Sequence, residues 1–157
     1  MSRFSLNYLG IFFILISFMS FFNIIYSYYF NLYLNIDTYI FTLFISLIIG
    51  AILLFKKKID KKITIYEKIL IVVIGYILLP IIISIPYYLS IYNISLLDCY
   101  FEAISGFTST GFTIIENIKD LDESLILWRS TSQWVGGIYF LFSIIFFVVP
   151  GCLLICN

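Results

Sequence analysis

The sequence predicts an all-α membrane protein: four transmembrane helices, with one further short helix that enters the bilayer and turns back. Three observations predict it. Of the 157 residues, 62% are hydrophobic and 11% are charged, where a soluble domain carries about 25% charge. The mean hydropathy is +1.10, so the chain cannot cover a folded surface with polar groups. The few charges also leave long uncharged runs, and one interval between two runs is apolar, hydroxyl-rich and too short to cross.

Each element follows from where the charges fall, because a charge near the bilayer centre costs about 2.5–3.5 kcal/mol and a crossing takes about 20 apolar residues. The runs predict spans over Tyr8–Tyr28, Tyr39–Phe55, Ile69–Leu89 and Gln133–Cys152. The first run is too long for a signal peptide, and no small-residue cleavage site follows it. Tyr26, Tyr28, Tyr29 and Tyr33 mark an interface at its end. Lys56, Lys57, Lys58, Lys61 and Lys62 form the basic cluster between the second and third spans. The positive-inside rule makes that loop cytoplasmic, which places the N-terminus inside as well. Pro80 and Pro86 fall in the third span, and Pro80 should kink it unless neighbours satisfy the freed carbonyl.

The interval Ser95–Trp134 begins and ends on the outer side. Ser95 and Asp98 form a capping pattern, and Leu96–Ser105 suits a helix that stops at Gly106. Thr108, Ser109, Thr110, Gly111, Phe112 and Thr113 follow, with four hydroxyls in six residues. Two readings fit these residues. They form an ordinary outer loop, or they return from mid-membrane in extended form, with carbonyls and hydroxyls replacing water around an alkali cation. Apolar residues on both sides (Cys99, Tyr100 and Phe101, then Phe112, Ile114 and Ile115) and the position between two spans favour the second.

Composition excludes other classes. With no histidine, there is no Ser/Cys–His pair and no His ligand. No Gly-rich phosphate motif occurs, and Asp98 and Glu102 are too little for a paired-carboxylate site, so no enzyme is expected and no cofactor is implied. Zero net charge argues against nucleic acid. Cys99, Cys152 and Cys156 form neither a CxxC motif nor an even set and read as small apolar residues.

Phe101 to Thr113 (FEAISGFTSTGFT) resembles the first pore loop of the membrane subunits of Trk-type potassium uptake systems, in the Trk/Ktr/HKT superfamily. Trp128-Arg129-Ser130, Gln133-Trp134 and Gly136-Gly137 resemble the start of that family's next helix. The resemblance implies one re-entrant pore helix and an extended filter segment. It divides the chain into a leading helix pair with its basic loop, residues 1–62, and one helix–pore loop–helix unit, residues 63–157. Such subunits carry four such units. By resemblance, Thr110, Gly111 and Phe112 supply filter carbonyls, Gly111 is the filter glycine, K⁺ sits at Thr110 and Gly111, and Thr108, Ser109 and Thr113 flank them. Glu102 either supports the filter or is a solvated helix carboxylate. Arg129 pairs at the mouth with Asp120, Asp122 or Glu123. Trp128 and Trp134 are interface anchors, and the Gly136-Gly137 pair permits close helix approach.

The ending CLLICN does not continue the family pattern, and a truncated product is expected. Three functional readings follow: a quarter-pore completed by another chain, a self-assembling tetrameric channel, or a membrane structural protein without transport. Membrane lipid is the expected surrounding, and the resemblance implies a cytosolic nucleotide-binding regulatory subunit as partner. A glycine at position 111 leans toward potassium, since a Gly-to-Ser change at the filter accompanies sodium passage in related proteins.

Overall fold

The computed structural model describes residues 4–55, 64–90, 92–115 and 121–148. Among the described residues, four helices are long and apolar enough to cross a membrane: Asn7–Tyr29, Tyr33–Phe55, Ile65–Tyr88 and Glu123–Phe147. The elements are α1 (Phe4–Tyr29), a single 3₁₀ turn (Tyr33–Asn35), α2 (Ile36–Phe55), α3 (Ile65–Ile83), α4 (Ile85–Tyr88), α5 (Leu96–Phe107) and α6 (Glu123–Val148). The basic cluster and the last residues of the expected fourth span lie outside the described residues.

The helices form because uncharged Ile, Leu and Phe runs must satisfy every backbone group internally in hydrocarbon. Local chemistry sets several ends. Thr64 and Glu67 cap α3 reciprocally, with Thr64 N–H donating to Glu67 Oε2 at 3.1 Å and Glu67 N–H to Thr64 Oγ1 at 3.4 Å. The third span breaks in two. α3 continues as a helix through Pro80 to Ile83, and the helix is interrupted at Ser84, just before Pro86. At the far end, Lys68 Nζ donates to the Phe146 carbonyl at 2.8 Å and lies over the Phe146 ring, capping the end of α6.

α1 and α2 form an antiparallel pair that crosses closely where Gly50 meets Ile14 and the Gly10 carbonyl. Their seam is polar. Ser17, Ser20, Asn23 and Ser27 on α1, and Thr38, Thr42 and Ser46 on α2, are all buried. Ser17 donates to the Leu43 carbonyl, while Thr42 and Ser46 return their protons to carbonyls four residues back in α2.

The apolar core sits between α1, α3, α5 and α6. Tyr139 is its hub: its hydroxyl donates to the Val72 carbonyl at 2.9 Å, and its ring packs against Tyr8, Phe12, Tyr76 and Phe107. Gly75 makes room for it, since a Cβ there would collide with the Tyr139 hydroxyl. Trp128, expected at an interface, is instead 2% exposed in this core and donates Nε1–H to the Ile83 carbonyl at 3.0 Å. An indole with a backbone acceptor at membrane depth can be fully buried. Trp134, by contrast, is 73% exposed.

Candidate ion-filter segment

α5 opens on the expected cap: Ser95 Oγ accepts from Asp98 N–H at 3.3 Å. It then runs two residues beyond the expected last helical residue, Ser105, to Phe107. Gly106 is not the stop. It lies inside the helix, where a Cβ would press on Ser132 Oγ of α6. The helix ends through Ser109, which takes the left-handed conformation at φ 57°. Ser109 N–H donates to the Gly106 carbonyl at 3.0 Å and Thr110 N–H to the Ser105 carbonyl at 3.1 Å. These two bonds make a Schellman closure with serine where glycine is commoner.

α5 descends beside α6. Glu102 pairs with Arg129, Gly106 abuts Ser132, and the Phe107 backbone lies against Gly136 so closely that no Cβ could fit there. Gly136 is near the middle of α6, so the tip of the segment sits at half the height of that helix. From the tip the chain returns along α5 without helical structure. Ser105 Oγ donates to the Phe112 carbonyl at 2.5 Å, and Thr110 Oγ1 donates to the Ser105 carbonyl at 3.2 Å. Gly111 adopts φ 78°, and a Cβ there would meet nothing within 4 Å. The demand for glycine at this position is therefore conformational, not steric.

Glu102 is the segment's main support. It is 1% exposed. Its Oε1 accepts from Thr113 Oγ1 at 2.6 Å and from Ile114 N–H at 2.7 Å, while its Oε2 faces Arg129 NH2 at 3.6 Å. A solvated carboxylate is thereby replaced by a buried, charge-assisted strut.

Arg129 is placed differently from the expectation. Its described partners are Glu102 and the carbonyls of Gly111 (3.3 Å) and Phe112 (3.0 Å), not the acids at the mouth. Asp122 is engaged elsewhere, accepting from Asn35 and Ser124, and Asp120 lies outside the described residues. The reason is depth. Arg129 sits near the second turn of α6, level with Glu102, where an unpaired guanidinium would be costly.

Of the six segment residues, Phe112 is therefore not a free filter carbonyl: Ser105 Oγ and Arg129 occupy both of its lone-pair directions. Its ring instead stands 72% exposed. Thr108, Ser109, Thr110, Gly111 and Thr113 are also exposed. Among the described residues, no donor reaches the carbonyls of Thr108, Ser109 or Thr110. Among the described residues, the Gly111 carbonyl is touched only by the long Arg129 contact. Sequence reasoning missed Ser105 as a strut. Its signal was a hydroxyl seven residues before Phe112, buried on the α5 face shared with Glu102.

A short helix and a tight polar turn at half-height lead into a return hung on a buried carboxylate, and this exposed segment carries backbone carbonyls that no donor reaches among the described residues. Comparison with known proteins points the same way. The model of the TrkH family, described as a cation transport protein, matches residues 35–152. An uncharacterized cation transporter of Methanocaldococcus jannaschii is 46% identical over 55 residues, covering 35% of this chain and 12% of that protein. The Trk system potassium uptake protein TrkI of Halomonas elongata is 46% identical over 55 residues, covering 35% of this chain and 11% of that protein. The Trk system potassium uptake protein TrkH of Salmonella typhimurium is 32% identical over 93 residues, covering 58% of this chain and 19% of that protein. The matched region thus spans no more than about a fifth of these relatives. With its match covering the second leading helix, the short helix, the return segment and α6, this multi-pass membrane chain belongs to the TrkH family of cation transport proteins.

Proposed function

We propose that this chain supplies one quarter of a potassium-conducting pore, as the N-terminal part of a Trk-type uptake subunit. The observation that carries this reading is Glu102, a buried carboxylate spent on holding an exposed hydroxyl- and glycine-rich strand. A loop without work to do would not require a charge taken out of solvent. α5 is read as a re-entrant pore helix entering from outside, with its carbonyl end toward the midplane, where the helix dipole favours a cation. K⁺ is coordinated at Thr110 and Gly111, flanked by Thr108, Ser109 and Thr113. The lysine cluster orients the chain with its N-terminus in the cytoplasm. The names of the potassium uptake relatives support potassium as substrate.

One strand gives one quarter of a carbonyl ring, so three more strands complete the pore, from further units of a longer polypeptide, from another chain or from copies of this one. A cytosolic nucleotide-binding subunit is the regulatory partner in this reading. Rubidium uptake in potassium-uptake-deficient cells tests it. The chain is expressed alone and together with separately encoded further pore units. Uptake that is abolished by Gly111→Asp supports the reading. Crosslinking separates copies from another chain. No uptake under either condition sinks the transport role of this chain.

A further inference from the structure

The leading helix pair precedes the pore unit, yet the outer end of α2 is bonded to the residues that start α6. Asn35 Nδ2 donates to Asp122 Oδ2 at 3.1 Å, and Ser124 Oγ donates to the same oxygen at 2.5 Å. That spends the Ser124 proton, so the Tyr39 hydroxyl, 3.0 Å away, is the donor to Ser124 Oγ. Asp122 N–H donates to the Tyr92 hydroxyl at 2.7 Å, and the Asp122 carbonyl accepts the first amides of α6, from Leu125 and Ile126. Asn35, Tyr39 and Ser124 are fully buried. The Tyr39 ring then lies 5.8 Å from that of Trp128, the residue before Arg129.

We propose that Asn35 and Tyr39 are positioning residues for the filter segment, acting through Asp122 and Ser124 on the start of α6 and so on Arg129. The proposal rests on the reading of Thr108–Thr113 as the cation path. The physical route is short. Asp122 sits immediately before α6; its bond to Asn35, in the turn before α2, and the bond of Tyr39 from α2 to Ser124 fix where that helix starts and how it is rotated about its axis. The rotation decides where the Arg129 guanidinium points. Arg129 in turn touches the Gly111 and Phe112 carbonyls at 3.3 and 3.0 Å. The leading pair is thereby part of the filter's support and not only a membrane tether.

Amide hydrogen exchange on the full chain in lipid nanodiscs tests this. Asn35→Ala and Tyr39→Phe are compared with Thr38→Val. Thr38 is buried beside both, but its hydroxyl bonds only within its own segment, to the Asn35 carbonyl. In the first two variants, exchange over Thr110–Ile115 accelerates about fivefold while α1 and α3 keep their protection. In Thr38→Val it does not. Tyr39→Phe keeps the ring and removes one hydroxyl, so it remains informative if Asn35→Ala fails to fold. Unchanged exchange at Thr110–Ile115 in Tyr39→Phe and Asn35→Ala overturns the proposal. Equal acceleration by Thr38→Val overturns it too. Rubidium uptake is measured alongside: absence of uptake by the wild-type chain with further pore units counts against the transport reading, whereas the exchange result alone decides the positioning.

Discussion

Arg129 and Glu102 grip the return segment from two sides: the guanidinium takes the carbonyls of Gly111 and Phe112, and the carboxylate takes the hydroxyl and amide of Thr113 and Ile114. Between themselves they are 3.6 Å apart, an ion pair rather than a hydrogen bond. Each is worth more as a ligand for the strand than as a partner for the other.

That ranking gives the first prediction. Glu102→Gln keeps an acceptor for Thr113 and Ile114 and loses only the charge facing Arg129. Glu102→Leu loses the charge and also leaves the Thr113 hydroxyl and the Ile114 amide without their acceptor, a further loss of about 1–3 kcal/mol. Thermal unfolding in detergent is expected to show a midpoint drop for both variants, and a larger one for Glu102→Leu than for Glu102→Gln. Equal drops would mean that the charge, and not the acceptor, is what the strand needs.

Gly111 and Gly136 separate conformation from space. At Gly111 an added methyl meets nothing, so Gly111→Ala costs only the left-handed backbone, about 1–2 kcal/mol. At Gly136 the methyl would overlap the Phe107 backbone, and α5 would have to move off α6. We expect Gly111→Ala to give near-normal folded yield with reduced rubidium uptake, and Gly136→Ala to give little monodisperse protein by size-exclusion chromatography.

Ser109 holds a position that glycine occupies without strain. Ser109→Gly should therefore raise the unfolding midpoint, by the equivalent of about 0.5–1 kcal/mol. Ser109→Val, β-branched at φ 57°, should lower it. The same order in both variants would show that the turn is relaxed by glycine. A midpoint lowered by glycine would show that the Ser109 hydroxyl has a partner that the turn geometry alone does not reveal.

Lys68 caps α6 from the neighbouring helix. Lys68→Met keeps the stem and loses the donor, and the expected cost is about 1 kcal/mol at this half-exposed site. Exchange at the last turn of α6 should accelerate, while the Thr110–Ile115 amides, at the far end of α5, remain as they are.

The four long helices were legible because burial in lipid needs only an uncharged run, and the chain has few charges to interrupt one. The segment Thr108–Thr113 was legible from its hydroxyls and glycine. Other features were hidden because they depend on which helices become neighbours. Nothing in the local sequence says that Arg129 would be level with Glu102 rather than with Asp122. Trp128 and Trp134 look alike in sequence, yet one side of α6 faces the core and the other does not. Gly106 read as a stop because helix ends favour glycine, but here the demand came from Ser132 across the interface.

Among the described residues, no strand pairs with the return segment. Its rungs are side chains of α5, at Ser105 for Phe112 and at Glu102 for Thr113 and Ile114. A backbone ladder tolerates slippage by re-pairing one residue along; two side-chain rungs a helical turn apart do not. A one-residue deletion between Thr110 and Phe112 would shift every following residue by one position against these rungs. It would offer Glu102 an isoleucine in place of the Thr113 hydroxyl. The length of this hexapeptide is therefore as strictly set as its composition.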